Sequence, residues 1–172
     1  MGGTPAPKSE IILLLPEDAD RVREISGRHY PENFSQDDAT IEHNLGGAWN
    51  NTFCFGLERG TELVGYMMAW LGDTYIKDRT ERVMIVDDLV LEPSHRRYLF
   101  RLLDELRLAA EEAELDGIPV EGVLRSCIAD NIVSHPNLLA KLGYEIVAAH
   151  RSYDERLGED MVWVRFELIG KN

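Results

Sequence analysis

The segment VDDLVLEPSHRRYLFRLLDEL, Val86 to Leu106, constrains the fold more than any other, because two periodicities meet in it across a proline. Val86 to Leu91 is short, apolar and β-branched enough for a buried strand, and Pro93 has no N–H to continue the ladder, so the strand stops there. Beyond it, Leu99, Leu102, Leu103, Leu106, Ala109, Ala110 and Ala113 recur at the three-and-four spacing of one helix face. Ser94 is the expected cap of that helix, which is predicted to run to about Asp116, before Gly117 and Pro119. Arg96, Arg97 and Arg101 fall in its first turn. Cations at a helix N-terminus oppose the macrodipole unless an anion arrives, and a phosphate would resolve the conflict; the alternative is solvation or pairing with carboxylates such as Asp104 and Glu105. Tyr98 and Phe100 read as packing residues.

The remaining chain supplies the partners of this strand and helix. Residues 1–10 read as a mobile leader, and residues 11–172 as a single domain. IILLL forms a strand, Pro16 opens a helix toward His29, and Ala39 to Leu45 forms a short amphipathic piece. TFCFGLERGTELVGYMMAWLGD divides into a hairpin about Arg59 and Gly60. The polar stretch Gly72 to Arg82 reads as an exposed loop, and with Tyr30 to Asn50 as a shaper of any acceptor pocket. EIVAAHRSYDERLGEDMVWVRFELI forms two strands about a polar turn. The resulting class is α/β, a mixed, mostly antiparallel sheet of about seven strands flanked by helices.

Charge and composition narrow the partners. The chain has 172 residues and carries 31 acidic against 18 basic side chains, a formal charge of −13 that disfavours nucleic acid and favours a cationic substrate. No apolar run is long enough for a membrane span, and a cytoplasmic location is expected. Cys54 and Cys127 lack metal-ligand spacing and read as buried thiols, and no metal is expected. Met67, Met68, Trp70 and Trp163 read as core, with apolar surface for a homodimer as the alternative.

The element order and two motifs resemble the GCN5-related N-acetyltransferase (GNAT) superfamily from about Ile11 to Leu168. In that family the fourth strand is followed by a proline, then Gln or Arg, then glycines around a diphosphate. Leu91, Pro93 and Arg96 match, whereas Leu99 and Arg101 stand at glycine places and Arg97 where a further glycine is common. The second motif is met by Asn131, Ser134, Gly143 and Tyr144 in NIVSHPNLLAKLGY, with Leu139 where many relatives place a tyrosine that protonates the departing thiolate.

The resemblance implies an acyl-CoA-dependent N-acetyltransferase that moves acetyl from acetyl-CoA, or another acyl-CoA, to a primary amine of a small cationic molecule or a protein. It assigns the donor to the backbone of Leu89, Val90 and Leu91, to the turn spanning Arg96, Arg97, Tyr98, Leu99, Phe100 and Arg101, and to Asn131 and Ser134. Asp87 is the candidate base, Asp88 a loop-bonding residue or second candidate, and His135 an alternative proton acceptor. Strand alternation places only one of the two aspartates on the acceptor side. Cys127 has no His partner in sequence, so no covalent step is expected. The altered glycine and tyrosine positions give the alternative, a non-catalytic GNAT-like acyl-CoA sensor or protein-interaction module.

Overall fold

The computed structural model describes residues 8–30, 37–47, 51–128, 136–141, 143–154 and 159–168. β1 (Ser9–Leu13) leads through a 3-10 turn at Pro16–Asp18 to α1 (Ala19–His29) and then α2 (Asp38–Asn44), capped by Asp37, whose carboxylate accepts from the Thr40 N–H. β2 (Thr52–Arg59), β3 (Glu62–Ile76) and β4 (Arg79–Leu91) form an antiparallel meander. After α3 (Leu99–Glu112) come the two-residue strands β5 (Glu114–Leu115) and β6 (Ile118–Pro119), then β7 (Gly122–Ile128), α4 (Pro136–Lys141), β8 (Tyr144–Asp154) and β9 (Glu159–Glu167). The main sheet has seven strands in the order β1-β2-β3-β4-β7-β9-β8, and only β4 and β7 pair in parallel. The mixed, mostly antiparallel sheet foreseen from the sequence is thus the observed one.

Helices cover both faces of this sheet. Leu102, Leu103, Leu106 and Ala110 of α3 pack on Leu57, Met67, Ala69, Met84 and Val86. Val22 and Ile25 of α1, with Ile41 of α2, pack on Tyr66, Met68 and Val90 from the other side. Leu102 and Leu106 are fully buried, and each contributes about 1.5–3 kcal/mol by leaving water. Gly143 takes the left-handed conformation after α4, with φ of 75°, as its place in the sequence required.

Two boundaries differ from expectation. Ser94 does not cap a helix: Pro93–Tyr98 is a 3-10 segment, Ser94 Oγ lies 2.9 Å from His95 Nδ1, and the α-helix begins at Leu99. The helix also ends at Glu112, because Asp116 and Gly117 adopt positive φ (54° and 74°) and close a two-residue hairpin that pairs Leu115 with Ile118. The supposed loop from Gly72 to Arg82 is regular hairpin instead. Asp73 stands directly opposite Arg82 and accepts from its Nε at 2.9 Å, Tyr75 faces Thr80, and Lys77 and Asp78 make the turn with φ of 48° and 67°. Polarity misled here because cross-strand charge pairs stabilise an extended pair as well as they decorate a loop.

At the base of the sheet, Arg165 of β9 reaches Glu81 of β4 at 2.6 Å, both side chains almost wholly buried. The bridge crosses Gly122, whose missing Cβ would stand 3.2 Å from Arg165 Nε. Glu145 and Glu167 stand farther off, at 3.6 and 3.9 Å, and losing the short contact with Glu81 leaves the buried guanidinium poorly compensated and destabilising. Glu81→Ala is therefore expected to lower unfolding stability by about 3–5 kcal/mol in urea titrations, and a Glu81→Leu/Arg165→Met double variant to recover most of that loss.

Candidate functional site

β4 and β7 pair only from Val83 with Gly122 to Val86 with Arg125, and beyond that point they separate. β7 continues against β9 as far as Ile128, while the end of β4 stays on β3. The Glu92 N–H donates to the Val64 carbonyl at 3.0 Å. Antiparallel alternation then turns the backbone groups of Leu89 and Leu91 toward the opposite edge, where β7 no longer supplies partners. A sheet opened in this way offers a row of N–H and C=O groups to an extended ligand. The Val90 side chain is buried in the α1 face and its backbone groups, two residues from Glu92, face β3, so unlike Leu89 and Leu91 it turns no group toward the opening.

Just before the opening, β4 carries a bulge. Met68 pairs with Asp88 and Ala69 with Val86, which leaves Asp87 as the extra residue. Val86 and Leu89 both pack on the α3 side, so the two aspartates between them lie together on the α1 side. The expected alternation of Asp87 and Asp88 fails for this reason: an inserted residue suspends the two-residue period.

The aspartates nonetheless differ sharply in environment. Asp87 is exposed, whereas Asp88 is 3 % exposed and accepts hydrogen bonds from Tyr30 Oη at 2.5 Å and Tyr66 Oη at 2.6 Å. Burial, reinforced by the Asp88 charge, pushes the Tyr66 phenol above its usual range. Tyr30 is the C-terminal cap residue of α1, so Asp88 ties that helix end to the bulge. The sequence reading missed both tyrosines. Tyr66 carried a signal as a polar-tipped residue in an apolar strand, but Tyr30 lies 58 positions from its partner and carried none.

The arginines do not converge. Arg97 and Arg101 flank the Tyr98 ring, with guanidinium carbons 5.0 and 5.6 Å from its centroid, and Arg97 Nη2 donates to Tyr98 Oη at 3.3 Å. A hydrogen bond with Ser9 of β1 and then Arg97 hold the Tyr98 phenol below its usual range, which places this cluster on the β1 flank of α3. Arg96 is exposed and makes no ion pair among the described residues. The turn itself is internally bonded, with His95 N–H to Glu92 O at 2.8 Å and Leu99 N–H to Arg96 O.

Leu99 packs against the α3 core, while Phe100 turns to a pocket of about 340 Å³. Leu103, Asp104 and Arg107 of α3, Lys141 of α4, Tyr144 of β8 and Phe166 of β9 complete its walls. Asn131, Ser134 and His135 lie outside the described residues; Leu139 falls in α4. Among the described residues no group of His, Cys, Asp and Glu is placed to hold a metal ion, and no helix is long and apolar enough to cross a membrane.

Both cysteines are free and buried. Burial pushes the Cys54 thiol up to about 12, and the nearby Asp87 charge acts in the same direction.

No protein-family model and no curated protein sequence matches the chain. Solved structures do. An N-acetyltransferase from Staphylococcus aureus Mu50 superposes with a TM-score of 0.69 at 16% identity, covering 95% of this chain and 99% of that one. Arabidopsis thaliana NAA60 in complex with a bisubstrate analogue gives 0.73 at 15%, covering 95% and 100%. The ribosomal-protein-S18-alanine N-acetyltransferase from Escherichia coli gives 0.66 at 18%, covering 96% and 98%. The chain has the fold of the GNAT superfamily.

Two measurements probe this site. Removing the Asp88 carboxylate deprives the Tyr30 and Tyr66 phenols of a shared acceptor, and Asp88→Ala is expected to cost about 3 kcal/mol in urea unfolding, with Asp88→Asn milder because its amide oxygen still accepts. For Cys54, the folded state keeps a proton that the unfolded chain loses near its ordinary value of 9.0. Its contribution to stability is complete below that pH and disappears as pH rises toward about 12, so wild type should lose stability over this window more steeply than Cys54→Ala.

Proposed function

We propose that this chain is an acyl-CoA-dependent N-acyltransferase that moves acetyl from acetyl-CoA to a primary amine of a small cationic molecule or a protein. The observation that carries the reading is the separation of β4 from β7 after Val86 and Arg125, which turns the Leu89 and Leu91 backbone into an open hydrogen-bonding edge beside an exposed carboxylate. The fold likeness supports it, including Arabidopsis thaliana NAA60 in complex with acetyl-CoA, at 17% identity.

In this reading the donor's pantetheine arm lies along Leu89 to Leu91, with Asn131 and Ser134 from the matching motif on its other side. N–H groups of the strand edge stabilise the oxyanion. Arg96 is the arginine assigned to the diphosphate, since Arg97 and Arg101 reach it only by leaving Tyr98. The internally bonded turn has few N–H groups to offer, so side-chain charge replaces the usual glycine-rich cradle.

The acceptor approaches from the α1 face. Asp87, directly or through water, takes a proton from the ammonium, and the freed amine attacks the thioester carbonyl. A C–N bond forms, the C–S bond breaks, and the amine's second proton balances the departing CoA thiolate as the thiol. With Leu139 in the usual tyrosine's place, the thiolate leaves without a positioned acid, which its modest basicity permits. Asp88, held by two phenols, positions the bulge that presents Asp87. His135 is the alternative acceptor of the ammonium proton.

Acetyl-CoA at a hundredfold excess over Kd is expected to add about 2.7 kcal/mol, a rise of about 5–10 °C in Tm. Arg96→Ala should weaken that shift. Asp87→Asn should keep it while lowering amine-dependent thiol release about a hundredfold. No shift at saturating acetyl-CoA overturns the reading; a shift with no thiol release from any amine favours the sensor.

A further inference from the structure

β1 lies at one edge of the main sheet, and among the described residues its outer side pairs with no strand. The Leu14 N–H donates to the Cys54 carbonyl at 2.9 Å. Antiparallel alternation therefore turns the backbone groups of Glu10 and Ile12 toward β2 and those of Ser9, Ile11 and Leu13 outward. The side chains of these same three residues share the α3 face, where Ile11 packs on the core and Leu13 is left 59% exposed. Edge strands are commonly blunted by lysine, proline or charge, and this face of Ser9–Leu13 carries none of them.

Arginines gather at the Ser9 end of the strand. The Tyr98 phenol hydrogen-bonds with Ser9, and Arg97 and Arg101 flank the Tyr98 ring. Arg59 of β2 stands directly across from Ser9 on the same face. Elsewhere arginines are matched: Arg21, Arg28, Arg82 and Arg165 each hold a carboxylate. Arg59, Arg97 and Arg101 hold none among the described residues, although the chain has 31 acidic side chains to offer. Like charges brought to one strand end repel one another unless an anion joins them.

We infer that the outer edge of β1 is a docking strand for an extended acidic peptide, which adds antiparallel along Ser9, Ile11 and Leu13 with a carboxylate beside Arg97 and Arg101 and an apolar side chain beside Leu13. Backbone bonds supply the attraction, and the two side chains set the register, because a one-residue slip carries both to the other face. The formal charge of −13 repels acidic chains in general, so only a segment that brings its carboxylate to these arginines is retained. This surface is separate from the opening between β4 and β7 and does not rest on the acyl-transfer reading.

Isothermal titration of the full chain at low salt with the peptide acetyl-Leu-Thr-Val-Thr-Glu-amide tests this. The peptide should bind at least about tenfold more tightly than its Gln-ended counterpart. An Arg97→Gln/Arg101→Gln double variant should erase that difference. Leu13→Pro removes one outward N–H and the apolar contact while sparing the ladder to β2, and should weaken binding at least about tenfold with the acetyl-CoA thermal shift as in wild type. Should Leu13→Pro not fold, Leu13→Lys carries the same expectation. No binding of the Glu-ended peptide, equal affinity for the two peptides, a difference that survives the double arginine variant, undiminished binding in Leu13→Pro, or competition by acetyl-CoA overturns the docking strand. A missing acetyl-CoA shift in wild type beside intact peptide binding strikes the acyl-transfer reading alone.

Discussion

A parallel pairing of four residues governs this molecule. β4 and β7 meet only from Val83 to Val86, and everything on the cleft side depends on their ceasing to meet afterward. Continued pairing would consume the backbone groups of Leu89 and Leu91 and close the sheet into an uninterrupted surface. Separation instead leaves polar backbone without β7 partners among the described residues near the middle of a seven-stranded sheet, where an unpartnered group is costly unless another group, water or a ligand meets it. Covered helices, a buried ion pair at the base and a bulge at the rim hold the two strands in this geometry.

The bulge decides which face of the sheet two acidic side chains occupy. Without the extra residue, Asp87 and Asp88 would face opposite sides and one would enter the α3 core. With it, both lie on the α1 side, one spent on fixing Tyr30 and Tyr66 and the other open to solvent. Two identical side chains in sequence thus acquire different roles through burial alone. A similar division separates the arginines: helical geometry sends Arg97 and Arg101 to one flank, where Tyr98 holds them, while Phe100, Asp104 and Arg107 line the pocket on another. Spacing in sequence grouped three cations; their direction around the helix dispersed them.

Elements with strong local signals were legible. The face of α3, the end of β4 before Pro93, the hairpin at Gly60 and the left-handed Gly143 each follow from periodicity or from a residue with one permitted conformation, whereas β4 itself begins at Arg79 and is twice as long as the strand expected from Val86. Errors came where local polarity was ambiguous. Asp73, Arg82 and Glu81 read as loop, yet each is paired across strands, and Asp116-Gly117 carried a hairpin signal that ended the helix early. Trp70 read as core, whereas it is 38% exposed.

By itself the sequence determined the order of elements, the two apolar faces of the sheet and the type of residue available at the rim of the cleft, because these follow from near-neighbour periodicity and the fixed dihedrals of proline and glycine. Only tertiary structure decided where β4 leaves β7, which aspartate is open, which aromatic is left uncovered and where the arginines point. Those outcomes rest on contacts such as Tyr30 with Asp88 and Glu81 with Arg165, which join residues 58 and 84 positions apart and leave no local trace in the chain.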